Sequence, residues 1–207
     1  MAQYKNLPIY SLILNDEEIN DGCYKISLVE APAIDETFLK FKKDSARLDF
    51  AVQDATKRIV TGIAMRADYP IYRNQDGKEF YVVFPKETIE KMMYKFMKEQ
   101  NQFNISLDHT DDVDNCYVVE SYIVNKERGI CPKEYSNIED GSWVVSVKIE
   151  NDDVWSKIIN NEVIGFSIET LMSVGKFSDE KHDEHVEQAK KLGITPKELE
   201  KLLEIFK

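Results

Sequence analysis

Ser167 sits inside Val163-Ile164-Gly165-Phe166-Ser167-Ile168-Glu169, an apolar run with the composition of a short buried strand. A buried hydroxyl without a partner costs roughly 1–3 kcal/mol, so Ser167 needs either a backbone partner or a task. A serine hydroxyl is a weak nucleophile at neutral pH and is activated by an imidazole within hydrogen-bond reach. Ile105-Ser106-Leu107-Asp108-His109 is a second strand-like run, ending in the only histidine upstream of the C-terminal tail. These residue types suggest His109 as general base and Ser167 as nucleophile, neighbours in space. Spacing alone leaves a plainer alternative open: a core serine bonded to backbone, and a histidine in a polar turn.

Other chemistries find less support. The acidic run from Asp108 to Asp114 invites calcium, but an EF-hand loop needs glycine at its sixth position and glutamate at its twelfth. No start at Asp108, Asp111 or Asp112 supplies them, so a solvated acidic turn is expected. Cys116 reads as a buried structural thiol rather than a nucleophile. No set of His and Cys has zinc-ligand spacing, and neither metal nor cofactor is expected.

Composition narrows the field further. A net charge of −11 over 207 residues lacks the basic face that phosphate backbones and anionic membranes require, which argues against nucleic-acid and membrane partners. No apolar run approaches the ~20 residues that span a bilayer. The first ten residues lack the basic start and apolar core of a signal peptide. The three cysteines form no C-x-x-C pair, as expected of a reducing compartment.

Strands must hold the two groups. Residues 9–14, 22–29, 48–52, 58–65, 79–84, 103–109, 116–124 and 142–149 read as strands by alternation or apolar run. Residues 69–73 carry a proline and suit an edge, and 74–77 form a hairpin-type turn. Tyr24, Ile26 and Leu28 alternate with Lys25 and Ser27, the period of a half-buried strand. Pro85 opens a helix whose Ile89, Met92, Met93, Phe96 and Met97 form one apolar stripe. Residues 125–140 read as loop. Asn151 is placed to cap a helix through Asn160, with Val154, Trp155, Ile158 and Ile159 inward. Residues 37–43 are amphipathic and untyped. Two units are expected: a domain over residues 1–177, and a charged helical appendage over 178–207. The appendage carries a capping box at Thr195-Pro196-Lys197-Glu198.

The ordered set of motifs resembles the phage prohead maturation proteases, specifically the XkdF-like serine protease group, distantly similar to herpesvirus assemblin. The resemblance is carried by Ile26-Ser27-Leu28-Val29-Glu30-Ala31-Pro32-Ala33, Ile105-Ser106-Leu107-Asp108-His109 and Tyr117-Val118-Val119-Glu120-Ser121-Tyr122-Ile123-Val124. Gly141-Ser142-Trp143-Val144-Val145, Val154-Trp155 and Gly165-Phe166-Ser167-Ile168-Glu169 complete it, covering roughly residues 9–172. It implies an α+β fold: a small, mostly antiparallel β-barrel flanked by helices. It implies His109 as base and Ser167 as nucleophile of a serine endopeptidase. Its substrates would be phage scaffold and major capsid proteins, cut inside the procapsid in the host cytoplasm, often with self-cleavage. A homodimer is a further expectation, by likeness to assemblin.

The third catalytic member is not given by the match. Assemblin uses a second histidine downstream of the serine, and here only His182 and His185 lie downstream, in a charged run better read as tail. Glu169 shares a strand face with Ser167 at ~7 Å and is placed to orient the His109 ring or to contact substrate. Glu120 pairs too far along a direct hairpin to hold that ring. No arginine closely follows Ser167, so backbone N–H groups are the default oxyanion donors.

Overall fold

The computed structural model describes residues 9–12, 14, 22–30, 51–54, 56–75 and 78–171. In chain order the strands are β1 (Ile9–Ser11), β2 (Gly22–Val29), β3 (Ala51–Asp54), β4 (Ile59–Met65), β5 (Ile71–Gln75) and β6 (Lys78–Val83). Helix α1 (Lys86–Lys98) follows, then β7 (Ile105–Leu107), β8 (Asp111–Asp112), β9 (Cys116–Ile123) and β10 (Trp143–Ile149). Helix α2 (Asp152–Ile159) and β11 (Gly165–Leu171) complete the described elements.

The expected α+β class holds, with strands predominating. The closed barrel does not. Among the described residues the strands hydrogen-bond as three open sheets, in the orders β1-β6-β5, β3-β4-β10-β9 and β11-β2-β7-β8. Closure needs every strand to find a partner on both sides. Here β7 and β8 are three and two residues long, and the third sheet stops at β8.

That third sheet carries the candidate site. β2 is its centre, antiparallel to β11 and parallel to β7. Ile26, Leu28, Ile105 and Phe166 point from it into one large core. α1 closes that core with Ile89, Met92, Met93 and Phe96. The ring of Phe96 meets Trp143 edge-on, with centroids 5.3 Å apart. The opposite face of the β4–β10 pair supports a smaller cluster of Ile63, Val124, Tyr135, Ile138 and Val144. Residues 125–140 are therefore more than a connecting loop, because Tyr135 and Ile138 bury themselves against that sheet and the Tyr135 hydroxyl donates to Thr61 O at 2.9 Å.

Local signals account for the helix ends. Pro85 stands at the N-cap, one position earlier than the sequence suggests, and its carbonyl accepts from Ile89 N at 3.0 Å. Asn151 caps α2 as expected, its side chain accepting from Asp153 N and Val154 N at 3.1 Å each. Met97 and Ile159, both expected inward, are exposed, because each stands in the last turn of its helix, beyond the packed stripe. Residues 37–43, and the whole appendage over 178–207 with its capping box, lie outside the described residues.

Candidate active site

Three serines form a row across adjacent strands. Ser167 on β11 is paired with Ser27 on β2, and Ser27 is paired with Ser106 on β7. Directly paired residues point to the same side of a sheet, so all three hydroxyls lie on the face opposite the core. Ser27 and Ser106 are 0% and 1% exposed, and Ser167 is 8% exposed. Glu169 and Lys25 are also paired and share this face.

His109 reaches the row from a turn, not from a strand. The strand expected over residues 103–109 is broken: Asn101–Phe103 is a 3-10 turn, and β7 ends at Leu107. Asp108 and His109 then take φ values of 46° and 60°. Consecutive positive φ is the signature of a tight mirror-image turn, and Asp and His are among the residues that tolerate it. Thr110 N donates to Leu107 O at 3.0 Å to close the turn. The turn is tied to β2 by three further bonds. Asp108 N donates to Leu28 O at 2.9 Å, Glu30 N donates to Asp108 Oδ1 at 3.1 Å, and His109 N donates to Ser27 Oγ at 2.8 Å.

The His109 ring faces Glu169. Nδ1 lies 3.4 Å from Glu169 Oε1, with the imidazole 44% exposed and the carboxylate 17% exposed. The carboxylate is held from two further directions. Ser106 Oγ donates to Oε1 at 2.9 Å, and the Tyr24 hydroxyl donates to Oε2 at 3.2 Å. Tyr24 reaches Glu169 through a bulge: Glu169 pairs with Lys25 and Thr170 with Cys23, leaving Tyr24 as the extra residue. Burial first, and then the charge of Glu169, raise the Tyr24 phenol, which keeps its proton and remains a donor. Lys25 pairs with Asp112 at 2.5 Å and joins the acidic turn to the same sheet.

The structure thus brings His109 and Glu169 together and sets Ser167 two residues before Glu169 on the same face. Among the described residues, no hydrogen bond joins Ser167 Oγ to His109 or to any other group. Glu120 lies on β9, in a different sheet, where it accepts from Ser146 Oγ. His182 and His185 lie outside the described residues.

Cys116 is buried at the start of β9, and burial pushes its thiol up to about 11; burial pushes the Cys23 thiol up to about 12. Neither forms thiolate near neutral pH, and thiolate is the reactive species. Iodoacetamide at pH 7.5 is therefore expected to leave Cys23 and Cys116 unmodified in the folded protein, as read by peptide mapping. The same shifts fix a sign for stability. In the unfolded chain both thiols ionise near the ordinary value of 9.0, while the folded chain holds their protons. The contribution is full below pH 9 and is lost as pH rises towards 11–12. Urea midpoints should fall from pH 8 to pH 10.

Residues 48–175 match the family described as "Putative phage serine protease XkdF". The chain belongs to that family. The XkdF match contains Ser106, His109, Ser167 and Glu169, while Tyr24 and Ser27 precede it. No curated protein and no solved structure matches the chain, and the expected likeness to assemblin is not shown.

Three side chains that the structure brings to the candidate site were missed from sequence: Tyr24, Ser27 and Ser106. A usable signal existed for the two serines. Ile26-Ser27-Leu28 and Ile105-Ser106-Leu107 each place one hydroxyl inside an apolar strand, the very feature that singles out Ser167. Tyr24 had no such signal, since its reach depends on a bulge that forms only when β2 meets β11.

Proposed function

We propose that this protein is a serine endopeptidase that cleaves scaffold and major capsid proteins during phage head maturation inside the procapsid, and that it also cleaves itself. Ser167 is the nucleophile, His109 the general base, and Glu169 the group that orients the base. The observation that carries this reading is the contact of His109 Nδ1 with Glu169 Oε1 at 3.4 Å, on the strand face that Ser167 shares. A carboxylate on Nδ1 keeps a proton there and leaves the Nε2 lone pair for the serine. Membership of a phage serine protease family supports the reading as a serine protease.

In this mechanism Nε2 takes the proton from Ser167 Oγ as the oxygen bonds to the scissile carbonyl carbon. The imidazolium, stabilised by Glu169, returns that proton to the leaving amine as the C–N bond breaks. Water, deprotonated by the same imidazole, then hydrolyses the acyl-enzyme. The base–nucleophile hydrogen bond commonly tightens only once substrate is bound. An extended substrate added along a sheet edge fits the recognition mode.

The second reading is a non-catalytic head-assembly protein that keeps the fold. It draws on the absence, among the described residues, of a hydrogen bond from Ser167 Oγ to the imidazole. A fluorophosphonate separates the two readings, because it traps only an activated serine. The expected result is one adduct, mapped by mass spectrometry to the peptide containing Ser167. No adduct, or an adduct elsewhere, rejects Ser167 as nucleophile.

A further inference from the structure

A buried pair of hydroxyls lies between the backbone of the base and the carboxylate that faces its ring. Ser27 Oγ accepts from His109 N at 2.8 Å and lies 3.1 Å from Ser106 Oγ, which in turn lies 2.9 Å from Glu169 Oε1. Glu169 Oε1 then faces His109 Nδ1 at 3.4 Å, which closes the ring of contacts on the residue where it began.

Proton counting constrains the ring. An ionised carboxylate only accepts, and a serine hydroxyl has one proton to give. Ser106 Oγ is the donor towards both Ser27 Oγ at 3.1 Å and Glu169 Oε1 at 2.9 Å, so its single proton is shared between the hydroxyl that holds the His109 amide and the carboxylate that faces the His109 ring. Linked hydrogen bonds polarise each other, more so where water is excluded. Both hydroxyls are buried, so no solvent competes for them.

We infer that Ser27 and Ser106 are positioning residues, which lock the His109 turn and the Glu169 carboxylate to each other and so fix the distance between imidazole and carboxylate. The inference rests on the assignment of His109 as base. The two attachments are of different kinds: Ser27 holds the backbone of a turn with positive φ at His109, and Ser106 holds the charged end of Glu169. Tyr24 grips only the other oxygen, so it does not substitute for Ser106.

The test uses the full chain and its Ser106→Ala and Ser106→Thr variants, with thermal melts to establish that each is folded. The first readout is the second-order rate of fluorophosphonate labelling at Ser167. A misplacement of about 1 Å in a reacting group costs on the order of a hundredfold. Labelling of S106A is expected to slow roughly tenfold to a hundredfold, with S106T, which keeps the hydroxyl, recovering most of the rate. The second readout is independent of catalysis: the 15N spectrum of the His109 ring. The wild type should show the Nδ1–H form, and S106A should show that preference lost. Wild-type labelling and an unchanged ring spectrum in S106A overturn the inference. If the wild type itself takes no label, the nucleophile assignment fails, and the ring spectrum alone decides whether Ser106 positions His109.

Discussion

Replacing Ser167 with alanine is expected to abolish processing of co-expressed scaffold while leaving the fold unchanged. Loss of the nucleophile removes the covalent route altogether, and comparable losses in serine hydrolases exceed about 10⁴-fold in turnover. A factor of 10⁴ is about 5.5 kcal/mol of transition-state stabilisation. The stability term is far smaller. Ser167 Oγ makes no hydrogen bond to a described residue, so its removal breaks none there, and the side chain lies outside the apolar core. A change of about 1 kcal/mol or less is expected, in the stabilising direction, because the side chain is buried and its hydroxyl has no hydrogen-bond partner among the described residues. The contrast with Ser27→Ala sharpens the point. That change removes the acceptor of the His109 amide in a part-buried bond, and loss of such a hydrogen bond costs roughly 0.5–1.5 kcal/mol. Gel analysis of scaffold processing beside urea denaturation of each variant measures both. Undiminished processing by S167A would end the nucleophile assignment.

Local signals in the chain were read well where one residue decides one structure. β2 has the bounds expected of it, and Asn151 caps the helix it precedes. Tyr24, however, grouped with Ile26 and Leu28 by alternation, is exposed because the bulge opposite Glu169–Thr170 takes it out of step. The turn that carries His109 was harder. Asp108 and His109 extend an apolar strand in sequence, yet both turn into the left-handed region, because Asp108 finds Leu28 O and the Glu30 amide beyond the end of β7. Those partners are about eighty residues away, and no local pattern encodes them. Ser27 illustrates the same limit: alternation sets it with Lys25 on the face opposite Ile26 and Leu28, yet it is fully buried, with the His109 turn bonded to its hydroxyl. The barrel was an expectation of the resemblance. What decides closure is the pairing of strands distant in sequence, as when β11 joins β2 and β10 joins β4. The candidate site was legible because a hydroxyl in an apolar strand is anomalous by itself, and because Glu169 lies two residues further along the same face.

Replacing Trp143 with alanine is expected to be the most damaging single change to the scaffold that holds this site. Trp143 opens β10, is fully buried, and packs edge-on against Phe96 of α1 at 5.3 Å. Its Nε1 donates to Ser121 Oγ on β9 at 3.0 Å, so the residue ties two strands and a helix together. Truncation of a buried tryptophan costs about 3–5 kcal/mol, from lost transfer energy and from the cavity left behind. Against a domain stability of about 5–15 kcal/mol, that is a large fraction. Trp143→Phe keeps a ring against Phe96 and loses the indole hydrogen bond, so a cost closer to 1–2 kcal/mol is expected. The consequence reaches the site because Ile26, Leu28, Ile105 and Phe166, the inward side chains of the three site strands, belong to the same core as Trp143. The row of Ser167, Ser27 and Ser106 stands on the other side of those strands, and its register depends on their packing. The urea midpoint of W143A should fall sharply with an unchanged slope, the signature of lost stability rather than of an altered unfolded state. Phosphonate labelling of Ser167 should follow the folded fraction, so it stays near wild type in water and is lost at a lower urea concentration than in the wild type. Labelling lost while the midpoint holds would mean that Trp143 acts on the site directly rather than through the core.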